Sequence, residues 1–299
     1  MQADTAAVGR TTVQHETDPE RMTAAVRAAR QQGRRVGFVP TMGALHAGHA
    51  SLVEAAAAAC DDVVVSIFVN PTQFAPHEDF ARYPRPLTAD LALLARLGVR
   101  WVFTPPVEAV YPHGTAERIE VGGPALPFEG VIRPGHFAGV ATVVKRLFEI
   151  VPADAAFFGA KDWQQTLVVK RMIEACGMPI EIVVCPTVRE ADGLAMSSRN
   201  AYLSAEERSR AGALHEGLAA AAARWEAGAD TAAAEAEIRE ALVARGIACE
   251  YAAVVDPEAL TPPADPRGPA IALVAGRLGS TRLIDNRMLP ARAVADRRE

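Results

Sequence analysis

Short apolar runs alternate with amphipathic stretches of helical length through the first 186 positions of the chain, and the alternation lapses after Pro186. Apolar runs at 36–39, 63–69, 100–104, 154–158 and 180–185 predict buried strands. Helical spacing over 20–32, 88–97, 137–150 and 163–175 predicts helices between them; the first ends at Gly33, and the second has Thr88 as N-cap and Asp90 in its first turn. A further helix is predicted from about Ala47 to Cys60. The opening unit is then β-α-β, which requires a parallel sheet and a right-handed crossover. Residues 1–186 are read as an α/β domain, a Rossmann-like doubly wound parallel sheet.

Beyond Pro186 the pattern changes. A polar, glycine-bearing segment at 189–203 precedes Ala- and Glu-rich helices predicted at 204–225 and 230–245. Ser204 with Glu207 three residues later forms a capping-box signature. Strands are predicted at 248–255, 270–275 and 281–284, with a Pro-rich loop at 261–269. Helices segregated from strands predict a smaller C-terminal α+β domain over 187–299.

Composition excludes some function classes. Half the chain is hydrophobic, and the mean hydropathy is +0.08. No apolar run reaches membrane-spanning length, and residues 1–17 read as a polar lead-in without the apolar core of a signal peptide. A formal net charge of -5 gives no electrostatic footprint for nucleic acid. Cys60, Cys176, Cys185 and Cys249 match no zinc spacing and, each lying in or beside an apolar run, read as buried free thiols of a reducing cytoplasm.

Three segments carry chemistry. The first runs from Val36 through Pro40 and a small-residue turn into His46-Ala-Gly-His49. A strand, a glycine-bearing turn and a helix start bring backbone N–H groups to a phosphate, and two imidazoles there can donate to the same anion. The plain alternative is that the histidines only cap the helix; a metal site would need a third ligand. The second is Asp192-Gly-Leu-Ala-Met-Ser-Ser-Arg-Asn200, a dense donor cluster read either as a solvated linker or as a lid over phosphates. The third is Gly159-Ala-Lys-Asp-Trp-Gln-Gln165, where Lys161 supplies a point charge and Asp162 a cap or a ribose acceptor. Gln73, in the loop after the second strand, and Gln165 are neutral amides suited to a hydroxylated or carboxylate substrate. All these segments fall at the carboxyl ends of predicted strands, where open α/β sheets bind ligands.

Together, Pro40-Thr-Met-Gly-Ala-Leu-His46-Ala-Gly-His49, Phe68-Val-Asn-Pro-Thr-Gln73-Phe, Tyr83-Pro-Arg85, Arg133-Pro-Gly-His136-Phe, Gly159-Ala-Lys-Asp-Trp-Gln-Gln165 and Met196-Ser-Ser-Arg-Asn200 resemble pantothenate synthetase, the pantoate–β-alanine ligase family, over roughly residues 20–290. The resemblance implies ATP as a substrate, with pantoyl adenylate formed first and then captured by the amine of β-alanine. It implies an ATP site at Met42, Gly43, Ala44, Leu45, His46, Ala47, Gly48 and His49, continued by Gly159, Ala160, Lys161, Asp162, Val188, Met196, Ser197, Ser198 and Arg199. His46, His49, Lys161 and Arg199 are the implied catalytic group, His49 being the family's proton donor. Gln73 and Gln165 would hold pantoate, Gln73 also lying near β-alanine, against an apolar wall of Pro40, Val143, Val144 and Phe158. Mg2+ is expected on ATP oxygens, with Asp90 as the nearest acidic match, and a homodimer is expected. Two departures stand out: Ala89 replaces a second acid common beside Asp90, and Ala138 replaces an Asp. Alternatives are a related nucleotidyltransferase with another acceptor, an aminoacyl-tRNA synthetase fragment and a nucleotide-binding regulatory module.

Overall fold

The computed structural model describes residues 13–76, 78–114 and 118–292. In chain order, β1 (Gln14–Glu16), α1 (Pro19–Gln31), β2 (Val36–Thr41), α2 (Ala47–Ala59), β3 (Asp62–Ile67), α3 (Leu87–Arg96) and β4 (Trp101–Phe103) lead to two short helices, α4 (Val107–Val110) and α5 (Glu129–Ile132). Then come α6 (His136–Ile150), β5 (Ala155–Gly159), α7 (Trp163–Cys176) and β6 (Glu181–Cys185). The six strands form one parallel sheet in the order β1-β4-β3-β2-β5-β6. Succession runs one way from β2 through β3 to β4, and the other way from β5 to β6. The crevice beyond the ends of β2 and β5 is therefore the topological switch point.

The two faces of this sheet are closed by different helices. Met22 and Val26 of α1, Leu147 and Phe148 of α6 and Val168 and Met172 of α7 pack with Phe38, Phe103 and Phe158 on one face. Leu52 and Val53 of α2 and Leu94 of α3 pack with Val39, Val65 and Phe157 on the other. Burying each such side chain contributes about 1.5–3 kcal/mol, which fixes which way each strand end faces.

The rest of the chain forms α8 (Ala205–Ala211), α9 (Ala213–Glu226), α10 (Thr231–Ala244), β7 (Ala248–Val255), β8 (Ala270–Leu278) and β9 (Thr281–Leu289). The strands make an antiparallel sheet in the order β7-β8-β9. Leu214, Trp225, Ile238 and Leu242 cover one face of it. On the other, Leu167 joins Ile271 and Leu273 with Trp163 and Phe128 packed alongside, and the Trp163 Nε1–H donates to Pro257 O at 2.7 Å. The second sheet thus sits directly against the helix that follows Lys161.

Several expectations change. The four cysteines are free, but Cys185 alone of them is fully buried; Cys60 and Cys249 are half-buried, and Cys176, the last residue of α7, is exposed. The described part of the lead-in holds β1, whose polar Gln-His-Glu gives no strand pattern; its remainder, residues 1–12, lies outside the described residues. Thr88 is not the N-cap, because α3 already begins at Leu87 after Pro86. Residues 204–225 split into two helices at Gly212. β8 and β9 run on to Leu278 and Leu289; Asp285 and Asn286 interrupt the apolar alternation because their side chains have partners of their own.

Candidate active site

β2 delivers the first turn. The Thr41 hydroxyl donates to Ser66 O at 2.7 Å and accepts the Gly43 N–H at 3.2 Å. Gly43 takes φ +82° and Ala44 φ +51°. A Cβ on Gly43 would stand 2.9 Å from Ile67 Cγ2, so that position requires glycine on both conformational and steric grounds. Ala44 N–H and Leu45 N–H both donate to the buried Asp90 carboxylate at 2.9 Å. Burial raises the Asp90 carboxyl above the ordinary range, against the two amide bonds, which lower it. Asp90 holds the turn from below and does not line the cavity. Neighbouring Ala89 is exposed, so an acid there would face away from Asp90's buried side.

α2 opens with a capping box made of histidines. His46 Nδ1 accepts the Gly48 N–H at 3.1 Å, and His49 Nδ1 accepts the His46 N–H at 3.4 Å. Burial, with Lys161 adding to it, pushes the His46 imidazole down to about 4. Burial, then His46 and Lys161, pushes His49 down to about 3. Both rings are therefore neutral near pH 7. Because each Nδ1 accepts, each Nε2 carries the proton. The pair caps a helix with one nitrogen and keeps an N–H donor on the other. Gly48 makes this possible: a Cβ there would lie 2.9 Å from His46 Cε1.

A cavity of about 240 Å³ opens at the switch point. Of the expected residues, Met42, His46, Gly48, His49, Gly159, Lys161, Asp162, Val188, Met196, Ser197, Ser198 and Arg199 line it, as do Gln73, Gln165, Pro40, Val143, Val144 and Phe158. Gly43, Ala44, Leu45, Ala47, Ala160 and Asp90 do not line it; they shape the two turns behind it. Gln73 Nε2 approaches Met42 Sδ at 3.1 Å, and its Oε1 accepts from Asn70 at 3.1 Å. Gly139 lets this loop close on α6, since a Cβ there would come 2.4 Å from Thr72 O. Gln165 faces the cavity, whereas the adjacent Gln164 is buried and donates to Pro124 O and Pro127 O.

The donor cluster of the second segment is largely engaged within the protein. Ser198 Oγ donates to Ala44 O at 3.0 Å, and Ser197 Oγ accepts the Arg199 N–H at 3.3 Å. Arg199 forks onto Asp79 through Nε and Nη2, both at 2.9 Å. Burial would raise the Asp79 carboxyl, but Arg199 brings it below the ordinary range. The bidentate face expected for phosphate is thus taken by Asp79, leaving Nη1. Lys161 pairs more loosely, 3.9 Å from Asp162 Oδ1.

The expectations quoted Thr41, Asn70, Tyr83, Arg133 and His136 only within motifs and gave them, like Thr187, no role at the site; all six line the cavity. Arg133 forks onto Glu78 at 2.6 and 2.8 Å and donates to His136 Nε2 at 3.0 Å, and His136 Nδ1–H donates to Gln73 O at 2.9 Å. Burial and Arg133 push His136 down to about 4. Burial would raise Glu78, but Arg133 brings it down to about 2. Arg133 and His136 stand together in Arg133-Pro-Gly-His136, and that pairing was the available signal.

Among the described residues, no three His, Cys, Asp or Glu side chains gather to hold a metal ion. Both Asp90 oxygens also face the turn. The described residues do not build a protein-held magnesium site.

The family model described as Pantoate-beta-alanine ligase matches residues 14–288. The pantothenate synthetase of Herpetosiphon aurantiacus is 50% identical over 265 residues, covering 87% of this chain and 96% of that protein. That of Paracoccus denitrificans is 54% identical over 262 residues, with coverages of 87% and 93%. The crystal structure of pantothenate synthetase from Thermus thermophilus superposes with a TM-score of 0.87 at 48% identity, covering 92% of this chain and 98% of that one. The pantoate-beta-alanine ligase of Francisella tularensis, complexed with β-γ ATP and β-alanine, gives a TM-score of 0.77 at 33% identity, with coverages of 93% and 98%.

Proposed function

We propose that this chain, which belongs to the pantoate-beta-alanine ligase family, condenses pantoate with β-alanine at the expense of ATP. A pantoate carboxylate oxygen attacks the α-phosphorus of ATP, the bond to the β-phosphate oxygen breaks, and pyrophosphate leaves. The amine of β-alanine then attacks the acyl carbon of the adenylate, AMP departs and a proton is released. The observation that carries this reading is one cavity lined by two unlike sets of side chains: His46, His49 and Lys161, and Gln73 and Gln165 together with Pro40, Val143, Val144 and Phe158.

Each set suits its task. The transferred group carries its charge on phosphate oxygens, so catalysis requires positioned donors more than an enzyme nucleophile. Two Nε2–H groups and one ammonium provide them. In the protein without ATP, burial keeps the His49 ring neutral at pH 7, so His49 meets the triphosphate first as a hydrogen-bond donor through Nε2–H. The amides of Gln73 and Gln165 bind a hydroxy acid without neutralising its carboxylate, which must stay nucleophilic. Mg2+ would ride on ATP oxygens and water, with Asp90 committed to the turn. A cytoplasmic homodimer and a division into a nucleotide domain over 1–186 and a lid domain over 187–299 complete the proposal.

Pyrophosphate–ATP isotope exchange in the presence of pantoate, without β-alanine, tests it. Pantoate-dependent exchange is expected. ATP binding without such exchange would point to a nucleotidyltransferase with a different acceptor.

A further inference from the structure

We propose that Asn286, on β9 of the second sheet, is a positioning residue for Lys161. Its Nδ2 donates to Ala160 O at 2.9 Å and to Lys161 O at 2.8 Å. Both acceptors are carbonyls, so only the NH2 end of the amide can face them, and both of its hydrogens are used. Asn286 is 8% exposed and paired in register with Leu273 of β8, the central strand of the sheet, which anchors its backbone.

The adjacent Asp285 makes a matching tie. Its carboxylate accepts a fork from Arg189 at 2.6 and 3.0 Å and the Asn286 N–H at 2.8 Å. Arg189 forms a bridge with Ala195, immediately before Met196, and donates to Gly193 O at 2.9 Å. Two neighbouring residues of one strand therefore tie down both segments that carry Lys161 and Arg199. Lys161 needs this more than Arg199 does. Arg199 is already forked onto Asp79. The lysine ammonium ends a flexible four-carbon stem and, among the described residues, has only the 3.9 Å pairing with Asp162. Where its charge stands is set by its backbone, and Asn286 holds that backbone.

The seam between the sheets does not depend on this amide for folding. Arg282 forks onto buried Glu129 with both distances 2.6 Å, Tyr251 donates to Glu129 at 2.8 Å, and Trp163 bonds Pro257 O. Asn286→Leu, similar in size and unable to donate, should therefore fold.

This inference rests on the ATP-binding reading, and Mg-ATP affinity measured by calorimetry tests it independently of the acceptor. Wild type, Asn286→Leu, Lys161→Ala and the double variant form a cycle. Asn286→Leu is expected to weaken Mg-ATP binding and pantoate-dependent exchange about tenfold or more, as misplacement of a binding charge does. In the Lys161→Ala background the same change should alter ATP affinity by less than about threefold. Wild-type affinity in Asn286→Leu, or the full factor persisting without the lysine, overturns the proposal; the second result marks a merely structural residue. Should Asn286→Leu not fold, Asn286→Ala is judged by the same criteria, and failure of both to fold also overturns it. A wild-type protein that binds Mg-ATP but shows no exchange refutes only the acceptor assignment. One that binds no Mg-ATP refutes both.

Discussion

Gly48→Ala separates the two uses of His46. Gly48 is the second residue of α2 and does not have positive φ, so alanine fits its backbone. In an exposed helix interior the change would stabilise by up to about 1 kcal/mol. Here the new Cβ would stand 2.9 Å from His46 Cε1 and 3.0 Å from Nδ1. Restoring ordinary contact of at least 3.4 Å displaces the ring edge by ~0.5 Å and swings the adjacent Nε2–H out of line. It also lengthens the 3.1 Å cap to the Gly48 N–H. Losing that cap costs about 0.5–2 kcal/mol, partly offset by the gain in helix propensity. The net change in stability is therefore about 0–1.5 kcal/mol, a fall in Tm of no more than a few degrees for a chain of this size.

Activation should suffer far more. Ångström-scale misplacement of a positioned group costs up to about 100-fold, so pantoate-dependent pyrophosphate exchange is expected to drop about 10- to 100-fold. In a His46→Ala background, Gly48→Ala should add almost nothing. Exchange within twofold of wild type would refute the reasoning, as would a loss of activity that simply followed the unfolded fraction.

Two further predictions concern charge. The folded His49 and His136 resist protonation, so below pH 6.5 the unfolded chain takes up protons that the folded chain refuses. Stability is therefore full above about pH 6.5 and falls as pH drops toward 4. At pH 5.5, one unit below the ordinary histidine value, each ring costs up to ~1.4 kcal/mol, about 2–3 kcal/mol for the two. Glu78, held down by Arg133, loses its contribution only below the ordinary glutamate range, outside this window. Urea unfolding midpoints that stay flat between pH 7.5 and 5.5 would contradict this. For Asp90→Asn, one amide N–H must face the amide nitrogen that replaces an oxygen, at a cost of roughly 1–3 kcal/mol. Tm and exchange should both fall, with no rescue by raised Mg2+; recovery on titrating Mg2+ would instead make Asp90 a metal-side residue.

Much of this fold was legible because burial imposes its own period. The runs at 36–39, 63–69 and 154–158 lie buried between helices on both faces, and such strands read as near-continuous apolar runs, broken here by the buried Ser66 and by Asp154 just ahead of β5. β1 was invisible for the opposite reason. Gln14, His15 and Glu16 are polar, and two side-chain contacts hold them: Trp101 Nε1–H to Gln14 Oε1 at 2.9 Å, and His15 with Thr104 at 2.6 Å. The lining of the site was legible where a residue falls in the segment that leaves a strand's carboxyl end, as Gln73 does after β3 and Lys161 and Gln165 do after β5. What a side chain does there was less so. Asp90 reads as a metal ligand and Arg199 as a free phosphate fork until their partners are seen, 46 and 120 residues away along the chain. Asn286 lies in a strand of the second sheet and bonds a turn 125 residues upstream, a relation that no local pattern records.

The two readings of the histidine pair, helix cap and anion ligand, are compatible because an imidazole has two nitrogens. Commitment of Nδ1 to the helix fixes the tautomer and leaves Nε2–H outside the cap, on rings that line the cavity, while burial keeps the rings neutral. A neutral donor stabilises charge as it develops on a departing pyrophosphate without gripping ATP itself so tightly that the ground state gains equally. Arg199 is similarly restrained by Asp79, and Arg133 by Glu78. Of the cations lining this cavity, Lys161 is the least tightly paired. A site that concentrates its uncompensated charge on one flexible side chain must fix that chain's backbone from outside, and the amide of Asn286 lies where that constraint is required.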